Sequence, residues 1–235
     1  MITLYSYDTL GHADHGWLDA RHHFSFASYR NPLRTHFGVL RVINDDRIAA
    51  GAGFDPHPHQ NMEIITYVRK GAISHRDSLG NVGRTEAGNV QVMSAGTGVT
   101  HAEYNEEAEE TRLYQLWIEP REDGVTPRWD MAVFPETQKS DSLQLLVSGY
   151  AEDEGKGALY IHQDAAIYGG RLKAGATLTQ AIRNQAYILV SYGEVTLNNV
   201  AAKQGDGAEL TGEQQLSITA LTDAEILVID VPSRA

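Results

Sequence analysis

From Gly38 onward the chain is a succession of short runs rich in β-branched and aromatic residues, each closed by turn chemistry. VLRVIN (Val39–Asn44), EIITYVR (Glu63–Arg69), AISHRD (Ala72–Asp77), VQVMS (Val90–Ser94) and RLYQLWIE (Arg112–Glu119) read as strands. Between them stand Asn44-Asp45-Asp46, Lys70-Gly71, Ser78-Leu79-Gly80-Asn81 and Ala87-Gly88-Asn89. The pattern resumes later in LQLLVSGYA, ALYIHQ, ATLTQAI, AYILVSY, EVTLNN, LSITA and EILVIDV. Many short strands with glycine turns predict an all-β sandwich or barrel.

The two halves read as a repeat. Setting Gly193 of YILVSYGEVTLNN against Gly71 of ITYVRKGAISH places Glu63 opposite Gln185, His59 opposite Ala181 and His57 opposite Thr179. The stretch 120–142 holds three prolines and mixed charge, and reads as the joint between halves. The expected division is an N-terminal metal-binding domain over 1–130 and a C-terminal domain over 131–235 without ligands.

Two short motifs carry the chemistry. His57-Pro58-His59 and His101-Ala102-Glu103 each hold two potential metal ligands two residues apart. On a strand, residues i and i+2 share a face and stand about 6.6 Å apart, so both can lean onto one ion. Pro58 suits a strand start or an edge, because proline cannot donate to a central ladder. Three imidazoles and a carboxylate suit Fe, Mn, Ni, Co, Cu or Zn. On a six-coordinate ion such a set leaves room for substrate, whereas on tetrahedral zinc it would be a closed, structural site. Glu63, four residues after His59, is a rival ligand, read here as a pocket-wall residue or a hydrogen-bond acceptor for a ligating histidine.

Other features have plainer readings. The five histidines of residues 1–36 (His12, His15, His22, His23 and His36) show no ligand spacing and read as surface or loop groups. Ala95–His101 superficially suggests a phosphate loop, but a strand follows it rather than a helix, so it reads as a turn delivering His101. EEAEE, Glu106–Glu110, reads as a solvated loop. Phe54, Met62, Met93, Leu116 and Trp117 are pocket or core candidates, with core the simpler reading.

Composition excludes several classes. The 235 residues include no cysteine, so disulfides, thiolate metal sites and cysteine nucleophiles are out. The net charge of −12 disfavours direct nucleic-acid binding but is compatible with a basic protein partner. No apolar run approaches the roughly 18 residues of a membrane span. MITLYSYDTLGHAD has neither a basic nor an apolar region, so no signal peptide is expected and the expected location is the cytoplasm.

These motifs resemble the cupin signature and, within it, the pirin family. Gly51, His57, His59 and Glu63 fit the first cupin motif, with Gly71 one residue late. Gly88, Gly96, His101 and Asn105 fit the second loosely: Ser94 replaces proline and the gap to His101 is longer. HGWLDARHHFSFASYRNP, LRVINDD, HPHQNMEIITYV and HRDSLGN are further pirin-like pieces, and the resemblance is strong over about residues 11–130. It implies a bicupin of two β-barrel (double-stranded β-helix) domains. It also implies one metal, most often Fe(2+), on His57, His59, His101 and Glu103. The implied activity is quercetin 2,3-dioxygenase-like: a flavonol and O2 as substrates, with Glu103 as ligand and base. The alternative implied by the family is a metal-bound regulatory protein acting through a protein partner.

Overall fold

A computed structural model describes residues 1–134 and 142–234. The chain forms two compact units. One holds the described residues within Gly11–Pro135 and Leu159–Gln163; the other holds those within Met1–Leu10, Glu136–Ala158 and Asp164–Ala235. Strands and single-turn 3-10 segments account for the regular structure, with no α-helix among the described residues. The all-β expectation holds. No helix is long and apolar enough to cross a membrane.

In chain order the strands are β1 (Ile2–Tyr5), β2 (Gly11–Asp14), β3 (Leu18–His22), β4 (Leu40–Ile48), β5 (Gly53–His59), β6 (Glu63–Lys70), β7 (Ala72–Asp77), β8 (Val82–Glu86), β9 (Val90–Ser94), β10 (Val99–Tyr104), β11 (Thr111–Ile118) and β12 (Arg128–Ala132). They continue as β13 (Gln144–Ser148), β14 (Leu159–Tyr160), β15 (Ala166–Leu172), β16 (Thr177–Ala181), β17 (Gln185–Tyr192), β18 (Glu194–Leu197), β19 (Val200–Lys203), β20 (Gly207–Leu210), β21 (Gln215–Ala220) and β22 (Ala224–Val231).

The unit carrying the histidine motifs has two antiparallel sheets, β12-β9-β6-β11-β4-β3-β2 and β5-β10-β7-β8. The other has β1-β20-β17-β22-β15-β13 and β16-β21-β18-β19. The duplicated pattern is therefore visible in strand order: β9-β6-β11-β4 matches β20-β17-β22-β15, and β5-β10-β7-β8 matches β16-β21-β18-β19. The two glycines used to align the halves join equivalent strands, with φ of 72° at Gly71 and 78° at Gly193. Positive φ is open to glycine at no steric cost.

That alignment is out of phase at the ligand positions. Thr179 and Ala181 are exposed, whereas Leu178 joins Val195, Leu197, Leu216 and Ile218 in a continuous apolar core. Alternation on β16 thus turns the residues set opposite His57 and His59 outward.

Asn44-Asp45-Asp46 is not a turn. β4 runs through it, paired with β3 on one side and β11 on the other, and all three residues are buried. Tertiary partners override the local turn preference: Asn44 Oδ1 meets His22 Nδ1 at 2.7 Å, and Asp45 pairs with Arg69. The expected joint at 120–142 lies partly outside the described residues; within it, β12 pairs with β9.

Candidate metal centre

β10 carries His101 and Glu103 and lies between β5 and β7. Toward β5, His101 is registered with His57 and Val99 with His59. Toward β7, His101 is registered with Asp77 and Glu103 with His75. Directly opposed residues share a face, so the HxH, the HxE and an H-x-D on β7 converge. Glycine makes the approach of β5 possible: a Cβ at Gly53 would lie 2.3 Å from the backbone oxygen of Glu103.

The rings of His57, His59 and His101 form a triangle, with centroid separations of 4.8, 4.5 and 4.9 Å. Each offers a nitrogen within 4.8 Å of the others'. His57 Nδ1 lies 2.7 Å from the Asp55 carbonyl, which takes its N–H and leaves Nε2 as the free lone pair. His101 Nε2 is buried and has no hydrogen-bond partner among the described residues. Burial, then the neighbouring His57, lowers the pKa of His59 to about 4. Burial, then His57, His59 and His75, holds His101 far below the usual imidazole range. Both rings are therefore neutral at neutral pH, the form that binds metals. A buried, unpartnered nitrogen inside a triangle of neutral imidazoles fits a divalent ion.

Glu103 is 2 % exposed and belongs to a second, overlapping group with His101 and His75. Oε1 accepts from Gln91 Nε2 at 2.6 Å and from the Thr66 hydroxyl at 3.4 Å; Oε2 accepts from Gln115 Nε2 at 2.8 Å. Burial pushes its pKa up to about 7, against the pull of these donors. Glu63 is placed elsewhere, in neither group. It is fully buried, accepts from the Ser94 hydroxyl at 2.7 Å, and has Arg128 and Arg121 as its charged neighbours.

The centre opens on a cavity of about 410 Å³. Trp17, Phe26, Phe54 and Trp117 give it aromatic walls, and Asn44, Asp46 and Gln115 line a polar part. Phe54 and Trp117 are thus pocket residues, while Met93 and Leu116 are buried core. Of the N-terminal histidines, His12, His15 and His36 are exposed, but His22 and His23 are buried, and His22 lines the cavity. Residues 95–98 form the turn that delivers His101, with positive φ at Gly96 and Gly98. Each glutamate of the acidic loop has an ion-pair partner: Glu106 with Arg76, Glu107 with Arg84, Glu109 with Lys70, and Glu110 with Arg47 and Arg112. Sequence reasoning missed Gln91, Gln115, His75 and Asp77. Only His75-x-Asp77 left a signal, since it repeats the two-residue spacing of the other motifs.

Residues 5–118 match the Pirin family and residues 145–231 the Quercetinase C-terminal cupin domain family. A pirin-like protein of Caulobacter vibrioides is 51% identical over 98% of this chain and 99% of its own length. A quercetin 2,3-dioxygenase of Escherichia coli is 46% identical over 99% of each chain. The crystal structure of the bacterial pirin YhhW from Escherichia coli in complex with nickel(II) superposes with a TM-score of 0.92 at 44% identity, covering 99% of this chain and 100% of that one.

Proposed function

This chain belongs to the pirin family, with a bicupin fold, and from that premise we propose that it is a metal-dependent dioxygenase that opens the ring of a flavonol with O2 and releases CO. The observation that carries the reading is the unpartnered His101 Nε2 within the imidazole triangle, beside an aromatic-walled cavity. His57, His59, His101 and Glu103 would hold the ion, taken as Fe(2+), with Mn, Ni, Co, Cu and Zn as alternatives that the same donors accept. Bound there, the ion supplies Lewis acidity and lowers the pKa of a substrate hydroxyl.

The chain's own residues do the remaining work. Trp17, Phe54 and Trp117 bound a slot suited to a flat polyphenol and keep water from it. Glu103, with its pKa raised to about 7, takes the flavonol 3-hydroxyl proton at a carboxylate oxygen. Gln91 and Gln115 hold that carboxylate in place while it does so.

The test is oxygen uptake by protein loaded in turn with each ion, with quercetin as substrate and CO measured in the gas phase. Stoichiometric uptake and CO release with one ion support the reading. No uptake with any ion across a panel of phenols removes it and leaves the regulatory role.

A further inference from the structure

Behind His101, away from His57 and His59, stand His75 and Asp77. We propose that they form a relay that fixes the tautomer and ring orientation of His101, so that its Nε2 presents a lone pair to the metal. The proposal rests on the reading of His101 as a ligand.

The relay starts at the Asp77 carboxylate. Asp77 closes the turn between β7 and β8. Its Oδ1 accepts from the backbone N–H of Leu79 at 2.9 Å and of Asn81 at 3.0 Å. Its Oδ2 accepts from Asn81 Nδ2 at 2.8 Å and faces His75 Nε2 at 3.1 Å. A carboxylate surrounded by donors is an acceptor throughout, so the proton shared with His75 sits on His75 Nε2. In a neutral imidazole the other nitrogen is then an acceptor. His75 Nδ1 lies 3.4 Å from His101 Nδ1, so the hydrogen of that contact belongs to His101 Nδ1. The same logic leaves His101 Nε2 as a lone pair, and this is the buried atom without a partner. Each protonation state follows from the previous one, starting from an aspartate held by its own turn.

Packing holds the relay in plane. Trp129 stacks on His75 at 5.0 Å and 11°. The indole fits because residue 83 is glycine: a Cβ there would meet Trp129 at 2.1 Å. His75 and Asp77 side chains are 1% and 0% exposed, so water does not compete for these bonds.

His75 also lies within ligand distance of His101 and Glu103. It cannot serve as a ligand while in the relay. Its Nε2 carries the proton given to Asp77, and the single lone pair on Nδ1 is occupied by His101. The orienting role that the sequence suggested for Glu63 therefore falls to His75 and Asp77.

Asp77→Asn is the test. Its amide oxygen can keep the turn's backbone N–H groups, which leaves an NH2 facing His75 Nε2. Two donors cannot share that position, so the His75 proton moves to Nδ1, and the His101 proton is driven onto Nε2. Two readouts follow. In the apo-protein, 15N NMR of the imidazoles should show His101 switch from the Nδ1–H to the Nε2–H tautomer. Nickel(II) affinity, measured by chelator competition, should fall about 10–100-fold, with strand content unchanged.

His75→Phe keeps the ring against Trp129 but removes the acceptor, and should lose affinity to the same degree. His75→Gln offers an oxygen to His101 and an NH2 to Asp77, and should keep affinity within a few-fold of the parent. Parent-like tautomers and affinity in Asp77→Asn and His75→Phe would overturn the relay. Loss of one nitrogen donor from the cobalt(II) spectrum in both His75 variants would overturn it differently, making His75 a ligand. A parent protein that takes up no nickel would instead remove the metal reading itself.

Discussion

Gln115 Nε2 donates to Glu103 Oε2 across 2.8 Å, and this bond is one arm of a clamp. Gln91 Nε2 supplies the other at 2.6 Å to Oε1. Each amide is itself oriented: Gln91 Oε1 accepts from the Thr85 hydroxyl at 3.0 Å, and Gln115 Oε1 from the Trp117 indole at 3.3 Å. The pocket wall, the amides and the carboxylate form one hydrogen-bonded network around a group whose pKa burial raises.

Glu103→Gln should therefore bind flavonol but lose kcat by about 10²–10⁴-fold once metal occupancy is matched, because it keeps the shape and an oxygen donor but removes the base. Glu63→Gln is the control. Glu63 accepts from Ser94, outside both ligand groups, and its loss should cost less. Steady-state kinetics with quercetin and O2 saturating decide it. A larger loss in Glu63→Gln would mean the carboxylates were assigned the wrong way round.

One divalent ion should bind per chain. The unit of β16-β21-β18-β19 is filled by leucine, isoleucine and valine where the other unit holds histidines. Elemental analysis of untagged protein should give about one equivalent. Chelation should lower Tm by mass action and leave the strand signal in circular dichroism intact, since the apolar cores do not involve the ion. Two equivalents, or unfolding on chelation, would contradict this.

What the sequence revealed follows from the range of the interactions. His57, His59 and His101 were legible because strand periodicity acts over two residues, and the turn glycines Gly71 and Gly193 because a positive φ leaves a local mark. His75-x-Asp77 carries the same two-residue spacing, but nothing in AISHRD says that its strand lies beside the strand of His101. Asn44-Asp45-Asp46 misled for the same reason. Its composition favours a turn, while the Arg69 and His22 that settle it in a strand come from other strands. The Thr179 alignment failed by one residue, and with a period of two a single residue reverses the face.

His23 should make the fold sensitive to mild acid. It is 2% exposed, and burial, then the charges of Arg34 and Arg69, lowers its pKa to about 3. Unfolded, it titrates near 6.5. Between those values the unfolded chain binds the extra proton, so its contribution to stability is full above about pH 6.5 and falls as pH drops toward 3. The slope from this residue approaches about 1.4 kcal/mol per pH unit. Urea denaturation across pH 4–7 should show His23→Gln with a shallower acid loss than the parent. Parallel curves would refute this.

Gly53→Ala should damage the metal centre without touching a ligand. Gly53 is registered with Tyr104, and a Cβ there would stand 2.3 Å from Glu103 O and 2.6 Å from Tyr104 Cα. Both are backbone atoms, which no rotamer change can relieve, so β5 must move away from β10. The strand that moves carries His57 and His59, and the strand it leaves carries His101. Overpacking of this kind costs about 1–3 kcal/mol. Nickel affinity should fall along with it, since the imidazole triangle spans the two strands. Gly51→Ala is the comparison. Gly51 has φ of 71° and nothing within 4 Å of an added Cβ, so it tests backbone strain without the clash. It should cost about 1–2 kcal/mol and leave metal affinity near the parent value. Denaturant midpoints and nickel titrations on both variants separate the effects. Equal loss of metal from both would show that local stability, rather than the spacing of β5 and β10, sets the affinity.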